Sequence, residues 1–270
     1  MSLKYTRKLE GKRVLVLGGT SGIGFCVAEN ALENGARVIV ASSRQSSIDS
    51  TLSRLRNSYP ELSSNVTGHT IDLRSSESEA SIIELLKAAT NDGTEPCDHI
   101  VHTAGDNLSI GPIDQFEGAE ALLNAQRVRL LAPMLFAKHA PGKYMRRSNT
   151  SSIIFTGGVN TYRPGAGWAI PALVGGAQQG LMRALAVDLK PIRVNLVEPG
   201  AIDTELFQRT FTGEQLEAFR QKYRDQTLTG AIGTPENMSE AYLYVMRDAF
   251  VTGQTVLSEG GLLLAPGAQR

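Results

Sequence analysis

The sequence predicts a single α/β domain, residues 1–270, built on a doubly wound parallel sheet of seven strands. Three observations carry that expectation. Short β-branched runs alternate with longer helical patterns along the chain, the order that a parallel sheet with crossover helices requires. The first run, Val14 to Leu17, passes directly into a glycine-rich turn and then into an apolar helix from Phe25 to Leu32. The length of 270 residues, 41% of them hydrophobic, suffices for one large core, and no stretch has the composition of an interdomain linker.

In chain order, strands are expected near 13–18, 37–42, 67–72, 98–103, 151–157, 192–198 and 254–258, each a short run bounded by turn residues or glycine. Helices are expected near 22–34, 48–57, 77–91, 119–140, 171–190 and 235–249, where apolar residues recur at helical spacing. A looser, partly helical insertion occupies 204–230. The Ser/Arg-rich stretch 42–54 and the stretch Arg146 to Ser152 read as solvated loops and helix faces.

Composition narrows the partner. Lys plus Arg (27) balance Asp plus Glu (27) and are scattered, so neither a nucleic-acid groove nor an anionic membrane surface is indicated. A small-molecule substrate is expected. Met1 to Gly11 is polar and has neither the apolar core of a signal peptide nor the length of a membrane span. Cys26 and Cys97 fall within core elements, which favours buried free thiols over a disulfide, and with them a reducing, cytoplasmic setting.

In a parallel sheet, ligands bind outside the carboxyl ends of the strands, so the residues just after each strand are the informative ones. After the first comes Gly18-Gly19-Thr20-Ser21-Gly22-Ile23-Gly24. Its glycines let the backbone turn tightly and approach a pyrophosphate, and the following helix N-terminus offers free N–H groups and a positive dipole end. After the second strand the chain reads Ala41-Ser42-Ser43-Arg44. An NAD-selective site normally carries a carboxylate there. Ser42, Ser43 and Arg44 instead supply donors and a positive charge, which favours NADP(H). A solvated arginine at a helix start is the alternative.

With its Gly-x-x-x-Gly-x-Gly turn between strand and helix, the chain resembles the short-chain dehydrogenase/reductase family, whose fold is Rossmann-like. The resemblance extends along the chain and implies further cofactor contacts. Ile71-Asp72-Leu73 stands where the family sets an acidic residue against the adenine, although Asp72 also suits a helix cap. His102-Thr103-Ala104-Gly105 replaces the family's Asn-Asn-Ala-Gly, which implies Ala104 and Gly105 against the cofactor and His102 as a packing or hydrogen-bonding substitute rather than a catalytic base. Pro199-Gly200-Ala201-Ile202-Asp203-Thr204 is similar to Pro-Gly-x-x-x-Thr, which implies that Pro199, Gly200, Ile202 and Thr204 hold the nicotinamide carboxamide. Gly233-Thr-Pro-Glu236 and Glu259-Gly260-Gly261 match as well.

The family's reaction uses a Ser, a Tyr, a Lys and an Asn, because hydride addition to a carbonyl leaves an alkoxide that must be protonated. None of the seven tyrosines here is followed four positions later by lysine. Aligning Ile153-Ile154-Phe155-Thr156 and Gly180 to Ala186 with the family sets Gly158 at Ser, Pro171 at Tyr, Gly175 at Lys and Arg129 at Asn. Pro171 is expected to start its helix, since proline is tolerated in a first turn. Gly175-Gly176 is expected to open space beside the nicotinamide and widen the pocket.

Arg129 and Trp168 are the candidates for whatever chemistry remains. A guanidinium beside the nicotinamide, itself a cofactor contact, holds a carbonyl, carboxylate or phosphate but donates no proton near neutral pH. The indole of Trp168 suits a flat or cationic ligand. The alternatives are a structural ion pair of Arg129 with Asp106 and a core or interface tryptophan.

Arg129-Leu-Leu-Ala-Pro-Met-Leu135, Gly167-Trp168 and the segment Gly180 to Pro191 also resemble a narrower group, the atypical fungal reductases of prenylated indole-alkaloid pathways that act as bifunctional reductases and Diels–Alderases. That group has an Asp-Pro-Gly-Trp turn; here the turn is Gly165-Ala166-Gly167-Trp168. The reaction implied is NADPH-dependent hydride transfer to an electrophile that is already activated, such as an iminium. A non-redox lyase, isomerase or cyclase using NADP(H) structurally and a catalytically silent cofactor-binding protein are the alternatives. Pairing of the helices at 119–140 and 171–190 between subunits, as in relatives, implies a homo-oligomer.

Overall fold

Val14, Leu15, Val16 and Leu17 show no polar alternation, and a strand apolar on both faces belongs inside a sheet that is covered on both sides. The computed structural model describes residues 4–116 and 118–265, without the side chains of 206, 209 and 210. In it β1 (Arg13–Leu17) lies between β2 (Arg37–Ser42) and β4 (His99–His102). The other strands are β3 (Val66–Thr70), β5 (Ser152–Thr156), β6 (Arg193–Pro199) and β7 (Thr255–Ser258). Seven parallel strands run in the order β3-β2-β1-β4-β5-β6-β7. The order reverses between β1 and β4, which makes a crevice at their carboxyl ends. Leu17 pairs with both Ala41 and His102, so the loops after all three strands leave the sheet at one level.

The helices are α1 (Gly22–Glu33), α2 (Gln45–Ser58), α3 (Ser78–Ala89), α4 (Gly118–Asn124), α5 (Ala132–His139), α6 (Ala169–Asp188), α7 (Glu205–Thr210), α8 (Glu214–Gln226) and α9 (Pro235–Arg247). Alternate β1 side chains feed two cores. Leu15 and Leu17 join Ile82 of α3, Phe136 of α5 and Met182 of α6. Val14 and Val16 join Phe25 and Leu32 of α1, Leu55 of α2 and Tyr242 of α9. Each such fully buried side chain contributes about 1.5–3 kcal/mol. Cys26 and Cys97 are buried free thiols, and burial raises both to a pKa of about 12. Arg193 is 2% exposed and donates to the Val245 and Met246 carbonyls, closing the C-terminal end of α9.

Two expectations need correction. The single helix expected over 119–140 is broken into α4, a wide π-helical turn at Arg127–Leu131, and α5. Pro133 is the physical reason, because it has no N–H for the Arg129 carbonyl and its ring crowds the preceding turn. Gln178 of α6 takes over that acceptor, donating from Nε2 to Arg129 O at 2.6 Å. Pro171 does not start α6 but occupies its third position, where a backbone N–H would still lack an intrahelical acceptor. Among the described residues no helix is long and apolar enough to cross a membrane.

Candidate cofactor and substrate cavity

The carboxyl edge of the sheet opens into a cavity of about 690 Å³, and every residue singled out from the sequence for cofactor or substrate lines it. The turn after β1 is shaped by sterics. Gly18 has φ +80, and a Cβ there would lie 2.7 Å from the Ala104 backbone. Gly24 has no room either, since a Cβ would overlap the Gly18 carbonyl oxygen and the Thr103 hydroxyl. Thr20, Ser21, Gly22 and Ile23 complete the turn, and Ser21 stands extended at the N-cap of α1 without a side-chain cap bond. No acidic residue occupies the first turn. Uncapped N–H groups facing a cavity fit a diphosphate.

Next to this turn Thr20 Oγ1 donates to Ser42 Oγ at 3.0 Å, and Ser43 and the exposed Arg44 continue the wall. Asp72 and Leu73 follow. The Asp72 carboxylate accepts from the Arg74 backbone N–H at 3.0 Å and pairs with its guanidinium, which together hold the carboxyl below its usual range. Asp72 is not the helix cap, because α3 starts at Ser78 with Glu77 before it. Pro199, Gly200, Ile202 and Thr204 close the cavity beyond β6, and Ile202 bridges to Gly233.

At the opposite end Ala104 and Gly105 meet Arg129. The guanidinium lies on the bare Cα of Gly105, where a Cβ would sit 2.6 Å from Cζ. Its Nη2 donates to the Asp106 carbonyl at 2.6 Å, and its Nε lies 3.4 Å from the Asp106 carboxylate. Burial lowers the Arg129 pKa and Asp106 offsets that shift. Arg129 therefore combines the two roles weighed for it, a wall of the cavity and an ion pair with Asp106. Trp168 caps α6 from the cavity wall and lies against Gly165, where a Cβ would come within 3.1 Å of the indole.

The widened pocket expected at Gly175-Gly176 is overturned. A Cβ on Gly175 would overlap the Thr161 hydroxyl, which has moved into that space, and Gly176 faces outward with no atom within 4 Å of its Cβ direction. Pro171 lines a small side crevice together with Asp106 and Arg129. Gly157 and Gly158 are filled in the same way, by the buried Glu198 and by Asn160. Of the two roles expected for His102, the structure shows packing: it is 2% exposed, edge-on to Phe136 and held neutral by burial, which lowers its pKa to about 3, and its Nε2 has no hydrogen-bond partner among the described residues. Reading the sequence missed Asn160, Arg163, Lys222 and Tyr223 on the cavity wall. The aromatic run Phe207, Phe211, Phe219 and Tyr223, whose rings stack α7 on α8, was the available signal for the last two. Among the described residues no group of three His, Cys, Asp or Glu side chains could hold a metal ion.

Comparison with known proteins agrees with this architecture. Residues 5–265 match the family described as an SDR-like Rossmann domain. The chain is 42% identical to the short-chain dehydrogenase/reductase ucsE of Acremonium sp, across 98% of this chain and 100% of that one. The solved structure of the MalC reductase/Diels–Alderase from Malbranchea aurantiaca superposes with a TM-score of 0.90 at 36% identity, covering 96% of this chain and 99% of that one. An actinorhodin polyketide ketoreductase solved with NADPH superposes with a TM-score of 0.80 at 25% identity, over 93% of this chain and 97% of that one. A match over nearly the full length, with a glycine turn at the switch point of a seven-stranded parallel sheet, makes this chain a member of the short-chain dehydrogenase/reductase family.

Proposed function

We propose that the chain is an NADP(H)-dependent reductase of secondary, alkaloid-like metabolism that acts on an electrophile activated before it arrives, such as an iminium. The observation that carries this reading is the substrate end of the cavity, where Arg129 with Asp106, Trp168 and Asn160 can bind and polarise a ligand but none is a proton donor near neutral pH. NADPH, when bound, supplies a hydride. The free N–H groups of α1 and the cluster Ser42, Ser43 and Arg44 would hold its diphosphate and 2′-phosphate. Trp168 would stack on the substrate's flat or cationic face, and Arg129 would fix a carbonyl oxygen. An iminium nitrogen takes up the electron pair itself, so no acid is required. Similarity to MalC supports the setting and a second reading, in which Arg129 polarises a dienophile carbonyl for cyclisation.

The cofactor half is tested by calorimetry. Arg44→Ala should weaken NADPH binding about tenfold, the scale of one charge-assisted hydrogen bond, and leave NADH unaffected. Equal affinities for the two cofactors, unchanged by the substitution, would refute NADP(H) selectivity.

Exposed apolar side chains on the two helices expected to pair support the reading of an assembly. Leu173 and Val187 on α6 are 56% and 69% exposed, and Met134 on α5 is 44% exposed. We infer a homo-oligomer packed through this face. Light scattering at micromolar concentration should give a multiple of the 29.0 kDa chain mass, and a monomer would reject the assembly.

A further inference from the structure

The backbone at Gly158 is extended, with φ −178 and ψ 149, so any residue would satisfy its conformation. What distinguishes the position is its neighbour. A Cβ there would lie 2.5 Å from the Asn160 Oδ1, so the Asn160 amide occupies the volume that a side chain at 158 would fill.

The turn that carries Asn160, Val159–Thr161, is held in place. Thr161 donates to the Gly158 carbonyl through both its N–H (3.1 Å) and its hydroxyl (3.0 Å), and that hydroxyl also fills the hollow over Gly175. Val159 is 8% exposed and committed to packing. Asn160 is the remaining side chain of the turn. It lines the cavity, and its amide makes no hydrogen bond to any described residue. This half-buried planar group, with donors and an acceptor side by side and no partner among the described residues, is complementary to a ligand amide that presents C=O and N–H on one edge. Arg129 is paired with Asp106, which leaves the Asn160 amide as an uncharged polar group beside it on the cavity wall. Trp168 on the Gly165 turn adds a flat apolar wall.

We infer that Asn160 anchors the substrate by pairing with a cis secondary amide, so that the ligand class is a flat lactam. The inference rests on the reading of this cavity as a substrate site, and it deepens that reading by naming the group recognised.

The test is a ligand-observed NMR titration of oxindole and N-methyloxindole into the full chain, with and without NADP+. The two probes differ in the amide N–H. The natural chain should bind oxindole about tenfold more tightly, the scale of one hydrogen bond. Asn160→Ala should bring the two affinities within about twofold while NADP+ binding stays unchanged. Gly158→Ala should do the same without touching Asn160, because its methyl would displace the amide; it serves if Asn160→Ala does not fold. No preference for oxindole in the natural chain, or a preference that survives in either folded variant, would overturn the assignment. Loss of NADP+ binding in the natural chain would refute the cofactor reading alone, since the amide preference is read separately without cofactor.

Discussion

Gly24→Val is expected to abolish NADPH binding and to destabilise the chain by about 3 kcal/mol, the upper range for overpacking a tight contact. The effect is steric. Gly24 lies on the inner face of α1, where a Cβ would overlap the Gly18 carbonyl oxygen and the Thr103 hydroxyl. Thr103 cannot yield cheaply, because its hydroxyl donates to the Leu17 carbonyl at 2.8 Å at the end of β1. A branched side chain must therefore push α1 away from the turn. The N–H groups suited to a diphosphate move with the helix, so stability and binding fall together. Denaturation midpoints and calorimetry on the purified variant check both, and a folded Gly24→Val chain that binds NADPH like the natural one would contradict the cradle.

The second large effect is expected at Arg129. Arg129→Ala should reduce turnover of an activated substrate about 100-fold, the usual scale for deleting one preorganised donor, with little change in NADPH affinity. The donor is preorganised by three contacts: the bare Cα of Gly105, the Asp106 carbonyl at 2.6 Å, and Gln178 fixing the Arg129 backbone. Simple ketones should stay unreduced at useful rates, because Pro171 and Gly175 stand where the family's Tyr and Lys would be; brisk ketone turnover would point to Lys222 or Tyr223 on the cavity wall as an acid. Neither His102, which is buried, nor Tyr162, whose hydroxyl is engaged with Glu198, is among the residues that line the cavity. Restoring serine alone at 158 should not help, since it would hold a carbonyl without supplying the proton that the family's Tyr and Lys provide.

What the sequence reveals divides along the range of the forces involved. The seven strands and the glycine turn are local. Runs such as Val14 to Leu17 mark central strands through burial on both faces, and the spacing of Gly18, Gly22 and Gly24 reports a backbone that needs free space. Arg129 and Trp168 could be set beside the same cavity because the sheet fixes which loops emerge together. The break before α5 was legible in Pro133 but hidden under an apolar pattern that runs through it. Gly158 and Gly175 show the limit most clearly. A glycine reads as an empty place, yet which neighbour moves in depends on the turn at Val159–Thr161, and that turn is a matter of three-dimensional packing. Asn160 carries no spacing signal at all, so it was visible only once the hollow at Gly158 had a shape.

The most direct test of the central claim follows the fate of deuterium from NADPH labelled at C4 when the protein meets N-methyl-3,4-dihydroisoquinolinium and cyclohexanone in the same mixture. The account predicts deuterium at C1 of the tetrahydroisoquinoline product above the protein-free rate, a loss of about 100-fold in Arg129→Ala, and no deuterated cyclohexanol. Deuterated cyclohexanol formed at a comparable rate, or an amine product without label, would contradict it.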